Sequence, residues 1–195
     1  PYLALPGSAM TLQVVLEHRA GGDLLGGDGD GDAMLRAAMG GLQAVMAESI
    51  ALFAPNSNAY RRFSAGKLAR NKRWGAGNLT TILNAASDDG GRRLEHRLPG
   101  SDANPYLAIA AVLTGIHYGL AEGLDAGPPL EDAAAGFVDQ TLPFAVDAAL
   151  LALENGSILR EYLGPAYVDL YCATKRAELD RFRNHIPAHE YDWYM

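Results

Sequence analysis

Residues 9–17 are short, partly alternating and β-branched, and predict a strand. The Gly/Asp stretch at 20–32 predicts a turn-rich loop, with Asp32 placed to cap the helix that follows. From about Ala33 to Phe53, Leu35, Met39, Leu42, Val45, Met46, Ser49 and Leu52 recur at helical spacing. They predict one helix, ended by Pro55 and the Asn/Ser cluster after it. Residues 55–91 are irregular, with a short strand predicted at 78–86 and a turn from Asp88 to Gly91. In an extended segment 92–98, Leu94, His96 and Leu98 share one face, and Arg93, Glu95 and Arg97 share the other. Residues 104–121 read as a strongly apolar helix, with Asn104 as N-cap and Pro105 at the first helical position. After a Gly/Pro loop at 122–136, helical patterns cover about 143–154, 157–163 and 165–184. Pro187 and an aromatic tail with Tyr191, Trp193 and Tyr194 follow. Strand, helix, strands, then helices is an α+β order.

Composition narrows the function classes. The 195 residues make one domain the expectation. With 16 Lys+Arg against 23 Asp+Glu, the net charge is −7, the opposite of what a general nucleic-acid or anionic-membrane binder carries. At 49% hydrophobic and 20% charged, the chain is too apolar for disorder. The N-terminus has no basic start followed by a long apolar run, and no stretch reaches the ~18 apolar residues of a membrane span. A single cysteine, Cys172, excludes an internal disulfide and points to a reducing, cytoplasmic setting.

Several constellations have bland readings. Asp28, Asp30 and Asp32 resemble the start of a calcium loop, but Ala33 stands at the glycine position and Met39 at the acidic twelfth position, so a solvated loop is expected. His185 and His189 have ligand spacing, but Pro187 breaks the helix between them, which makes them surface residues. His117 and Tyr118 are expected in core packing with a satisfied polar tip, and Cys172 as a buried hydrophobe. The basic run from Arg61 to Arg73, joined by Arg92, Arg93 and Arg97, carries more information. Guanidinium groups converging from separate segments suit a phosphate or carboxylate, because each fork binds two oxygens. Glu95 among them is either a structural ion-pair partner or a ligand for a hard divalent cation.

Longer motifs settle which family to expect. Ala54-Pro55-Asn56-Ser57-Asn58-Ala59-Tyr60-Arg61-Arg62-Phe63 resembles the "AP…NSYRR" segment of the glutamine synthetase family. Trp74-Gly75 with Asn78 is similar to its "WG..NR" segment. Arg93 to Arg97, then Asp102-Ala103-Asn104-Pro105-Tyr106-Leu107-Ala108, resembles "R-x-E-x-R…DANPYLA". Pro6 to Met10 resembles the "GSGMH" strand, Gly40-Gly41-Leu42 the "GGLL" helix, and His189-Glu190-Tyr191 the C-terminal pattern. The order is right over essentially the whole chain, and the polyamine-type and type I-like members look nearest. The resemblance implies the C-terminal half of the catalytic domain, as antiparallel strands (a half barrel) packed with helices. It does not extend to the N-terminal β-grasp domain or the earlier barrel segment that carries most metal-binding glutamates.

The family uses ATP to phosphorylate the γ-carboxylate of glutamate, which ammonia or an amine then attacks. The resemblance implies ATP and Mg2+ or Mn2+ as cofactors. By the same resemblance, Arg62 and Arg97 sit where the substrate carboxylate is held, Arg93 where a phosphate is contacted, and Glu95 at a metal-ligand position. Five positions depart from the pattern: Thr11 and Gln13 stand at the family's His-x-His, Leu79 and Asn84 at two arginines, and Leu68 or its neighbours at the flap glutamate. One lost electrostatic partner of this kind costs about 3–4 kcal/mol in a transition state. The leading expectation is therefore a pseudoenzyme-like subunit. It does not ligate alone, completes its barrel in a hetero-oligomer or with its own copies, and binds a glutamate-like anion. Two alternatives stand beside it. One is a subunit of an ATP-dependent γ-glutamyl-amide ligase whose missing ligands come from another chain; the other is a structural paralogue without a ligand.

Overall fold

The computed structural model describes residues 9–26, 29–64, 70–89, 91–134 and 138–194, apart from the side chains of Ser64 and Tyr194. Pro6–Ser8, Asp28 and Leu68 of the motifs above lie outside these residues. The elements are β1 (Leu12–Val14), α1 (Asp30–Ala44), α2 (Met46–Phe53), α3 (Arg61–Ser64), β2 (Trp74–Ala76), β3 (Leu83–Asp88), β4 (Gly91–His96), α4 (Pro105–Glu122), α5 (Val146–Asn155), α6 (Ile158–Leu163), α7 (Pro165–Arg183) and α8 (Ala188–Tyr194). The architecture is α+β, a four-stranded sheet of order β1-β4-β3-β2 packed with helices. β4 pairs antiparallel with both β1 and β3, whereas β2 runs parallel to β3, so the sheet is mixed rather than wholly antiparallel. Leu35 of α1, Ile50 of α2, Leu83 of β3, Leu94 of β4, Ala111 of α4, Leu150 of α5 and Cys172 of α7 belong to one buried apolar cluster. No helix among the described residues is long and apolar enough to cross a membrane.

The predicted helix 33–53 is two helices. Val45, at φ −84° and ψ −3°, breaks it, and its carbonyl accepts from both the N–H and the Oγ of Ser49, at 3.0 and 2.7 Å. A hydroxyl bonded back to the preceding turn bends a helix. The bend lets α1 pack chiefly on α4 and α2 on α5. Helix α1 starts at Asp30, earlier than expected, so Asp32 lies in the first turn instead of capping it. Its charge suits a helix N-terminus, and it pairs with Arg92 at 2.7 Å. In α4 the Asn104 side chain accepts from the Tyr106 N–H at 2.9 Å, Pro105 occupies the first turn, and Gly123 closes the helix in the left-handed region at φ 60°. α1 and α4 cross almost backbone to backbone: a Cβ on Gly41 would lie 1.9 Å from the Gly115 carbonyl oxygen. One on Gly119 would lie 2.1 Å from that of Ala37.

The strand expected at 78–86 divides into a turn and β3. The Asn78 side chain accepts from Thr80 N–H (3.0 Å) and donates to the Leu130 carbonyl (2.9 Å), holding 78–82 as a turn. The tail adds the short α8 after Pro187; His189 lies in it and His185 before it, and both are exposed. His117 is exposed, not in the core, with Nδ1 2.7 Å from the Tyr162 hydroxyl. Cys172 is fully buried, as expected.

Candidate functional site

The register of three strands builds the site. Gln13 of β1 stands opposite Glu95 of β4, and Asn84 of β3 stands opposite the same residue. Strand alternation turns Arg93, Glu95 and Arg97 to one face while Leu94, His96 and Leu98 are buried on the other. The Glu95 carboxylate, 5% exposed, therefore lies in a row of polar side chains. Its Oε1 accepts from Gln13 Nε2 at 3.1 Å and lies 3.5 Å from Arg93 Nε. Its Oε2 accepts from Asn84 Nδ2 at 3.0 Å and from an Arg97 guanidinium nitrogen at 2.7 Å. Burial alone would raise the Glu95 pKa; the hydrogen bonds from Asn84 and Arg97, with the charges of Arg97 and Arg93, hold it below the ordinary carboxylate value.

Each arginine has protein partners. Arg93 also pairs with Asp88 at the start of the β3–β4 turn. Arg97 donates to the Leu79 carbonyl at 2.8 Å, so Leu79 acts through its backbone while its side chain is exposed. Arg62, from α3, donates to the carbonyls of Leu98 at 3.0 Å and Pro99 at 3.4 Å, and so rests on the segment leaving β4. Burial pulls the Arg62 pKa down and the Asp102 charge opposes that, but a guanidinium stays protonated. The structure thus gathers Arg93, Glu95, Arg97, Gln13 and Asn84 into one cluster. Arg62 lies beside it, and Thr11 is exposed just before β1.

The sequence marks Asp88 as a turn residue and Asp102 as part of a motif, but neither as a partner of the arginines. Asp88 ends β3 at the β3–β4 turn, and the hairpin that brings it near Arg93 was the available signal. Asp102 is tied to Asn56 at 2.8 Å across 46 positions, which no local pattern shows.

These residues do not by themselves fit a divalent cation. Both oxygens of the one central carboxylate are engaged, and among the described residues no group of three His, Cys, Asp or Glu could hold a metal ion. Nor do they offer free guanidinium forks to nucleotide phosphates: two cations, Arg93 and Arg97, face two carboxylates, Glu95 and Asp88.

The family profile described as "Glutamine synthetase, catalytic domain" matches residues 1–194. The chain belongs to the glutamine synthetase family. It is 34% identical over 203 aligned positions to the γ-glutamylputrescine synthetase PuuA of Escherichia coli, covering 100% of this chain and 42% of that protein. It is 29% identical to a γ-glutamylethanolamide synthetase of Streptomyces coelicolor, over 93% of this chain and 39% of that one. The solved structure of ligand-free GmaS superimposes with a TM-score of 0.84 at 28% identity, over 97% of this chain and 45% of that one. This glutamine-synthetase-family chain therefore spans less than half the length of these relatives.

Proposed function

We propose that this chain is the C-terminal, arginine-bearing part of a glutamine-synthetase-like assembly in the cytoplasm, unable to catalyse ligation alone. The remaining barrel, and the groups that hold ATP and Mg2+ or Mn2+, come from polypeptide outside it. The observation that supports this reading is the Glu95 row: Gln13 and Asn84, which the motif resemblance sets at the family's imidazole and guanidinium positions, are amides spent on the chain's own carboxylate. Two surfaces support completion by further polypeptide. β1 and β2 are sheet edges, and edges attract partners. On α4, Tyr106, Ile109, Leu113 and Leu120 form an exposed apolar stripe opposite the face packed on α1.

The small molecule that suits the site is a glutamate-like anion. Arg93 is the arginine whose outer contact yields most readily to it: Asp88 is 54% exposed and such a pair contributes less than about 1 kcal/mol, while Glu95 stays beside the Arg93 Nε. A second reading, an ATP-dependent γ-glutamyl-amide ligase formed with a partner chain, is favoured by the relatives' named activities.

Native mass spectrometry of the complex from its own cells, with phosphate-release assays on ATP, glutamate and putrescine or ethanolamine, tests the reading. Additional polypeptide should be present, and the isolated chain should release no phosphate above background. Turnover by the isolated chain would overturn it.

A further inference from the structure

We infer that Glu95 is a closed node of the sheet and not a ligand for a divalent cation, and that Gln13 and Asn84 close it. The inference deepens the proposed function and rests on it only for where the cations are held, namely outside this chain's sheet.

The argument starts from coordination chemistry. A carboxylate that binds Mg2+ or Mn2+ presents an oxygen lone pair to the ion at about 2.0–2.2 Å, and needs further oxygen or nitrogen ligands around the same point. Neither oxygen of Glu95 is without an N–H-bearing neighbour. One oxygen receives Gln13 and has Arg93 at 3.5 Å; the other receives Asn84 and Arg97. Gln13 of β1, Asn84 of β3 and Arg97, just past β4, point N–H at the oxygens, and Arg93 of β4 holds its positive charge 3.5 Å from Oε1, so a cation can approach only where these groups give way. Two of them are guanidinium ions, which repel it. The amides are matched to this task. Gln13 and Asn84 face Glu95 from opposite sides in register, and each reaches it through an amide nitrogen. The Asn84 side chain is 1% exposed, and with its nitrogen on Glu95 its Oδ1 accepts no hydrogen bond. Leaving that acceptor unsatisfied has a cost that bonding the carboxylate offsets, because hydrogen bonds to an ion are the stronger ones.

The consequence is that Glu95 holds Arg93 and Arg97 in place. It is a positioning residue, and anion recognition at those arginines is independent of a metal on Glu95.

The experiment titrates Mn2+ into the purified chain and into its native assembly, followed by water-proton relaxation, for the wild type and Glu95→Gln. The expected result is an Mn2+ affinity, strong, weak or undetectable, that Glu95→Gln changes by no more than threefold. A larger fall overturns the inference. A stability cycle, independent of any metal or activity, adds the positive test. Gln13→Leu should lower Tm by about 3–6 °C in the wild type and by less than half as much in Glu95→Gln. Equal shifts in the two backgrounds overturn the role of Gln13. Failure of the proposed function would appear differently, as phosphate release by the isolated chain, with the Mn2+ result unchanged.

Discussion

Glu95 and His96 are neighbours on β4, both buried, on opposite faces of one sheet, and they settle in opposite charge states. On the outer face, Asn84, Arg97 and Arg93 act against burial to keep Glu95 ionised, with Gln13 bonded beside them. On the inner face, His96 packs on Phe53 with ring centroids 4.8 Å apart, and its Nδ1 has no hydrogen-bond partner. Burial pushes its pKa down to about 3, so the imidazole is neutral. Burial opposes charge in both places; what differs is whether the neighbouring elements bring donors. β1 and β3 bring amides to the outer face, and α2 brings a phenyl ring to the inner one.

Removing Arg97 should have the largest effect on this contrast. Arg97→Ala strips the shortest bond from a buried carboxylate and should lower stability by about 2–3 kcal/mol, measured by urea unfolding at pH 7. Next comes acid on the inner face. The unfolded chain takes up a proton near pH 6.5 that folded His96 refuses, so its contribution is lost as pH falls from about 6.5 toward 3. By pH 5 the loss should reach about 2 kcal/mol. His96→Leu should remove this slope while leaving the Glu95 contribution, which is lost only as pH falls below the ordinary carboxylate value of 4.5. A slope unchanged in His96→Leu would assign the titration to another group. The smallest effect is expected at Asp88. Its side chain is 54% exposed, so Asp88→Ala should change stability by less than about 1 kcal/mol and be masked by 0.5 M salt.

The strand face of Arg93, Glu95 and Arg97 was legible because alternation is a local rule, and α4 because Asn104, Pro105 and the apolar run agree. Local rules failed where a distant group decides. The break at Val45 reflects two packing surfaces, α4 and α5, that pull one helical pattern in different directions. The turn at 78–82 depends on carbonyls more than fifty residues away. His117 reads as core because its helix is apolar all round, yet it belongs to the exposed stripe. Family motifs pointed to Glu95 and its arginines as site residues and to Gln13 and Asn84 as expected departures. They did not reveal that the two departures meet at one carboxylate, since that is a property of strand register. Glu48 escaped notice for the same reason: from α2 it accepts the Leu159 N–H at 2.7 Å and so caps α6, more than a hundred residues on.

The paired amides also give sequence change a direction, as a ratchet does. An arginine at 84 would crowd a third cation against Arg93 and Arg97, and an imidazole at 13 would replace the Gln13 amide that now donates to Glu95. If Glu95 is a closed node, each such single change runs uphill in stability with no cation site at Glu95 to reward it. A route back has to change both strands flanking β4 together.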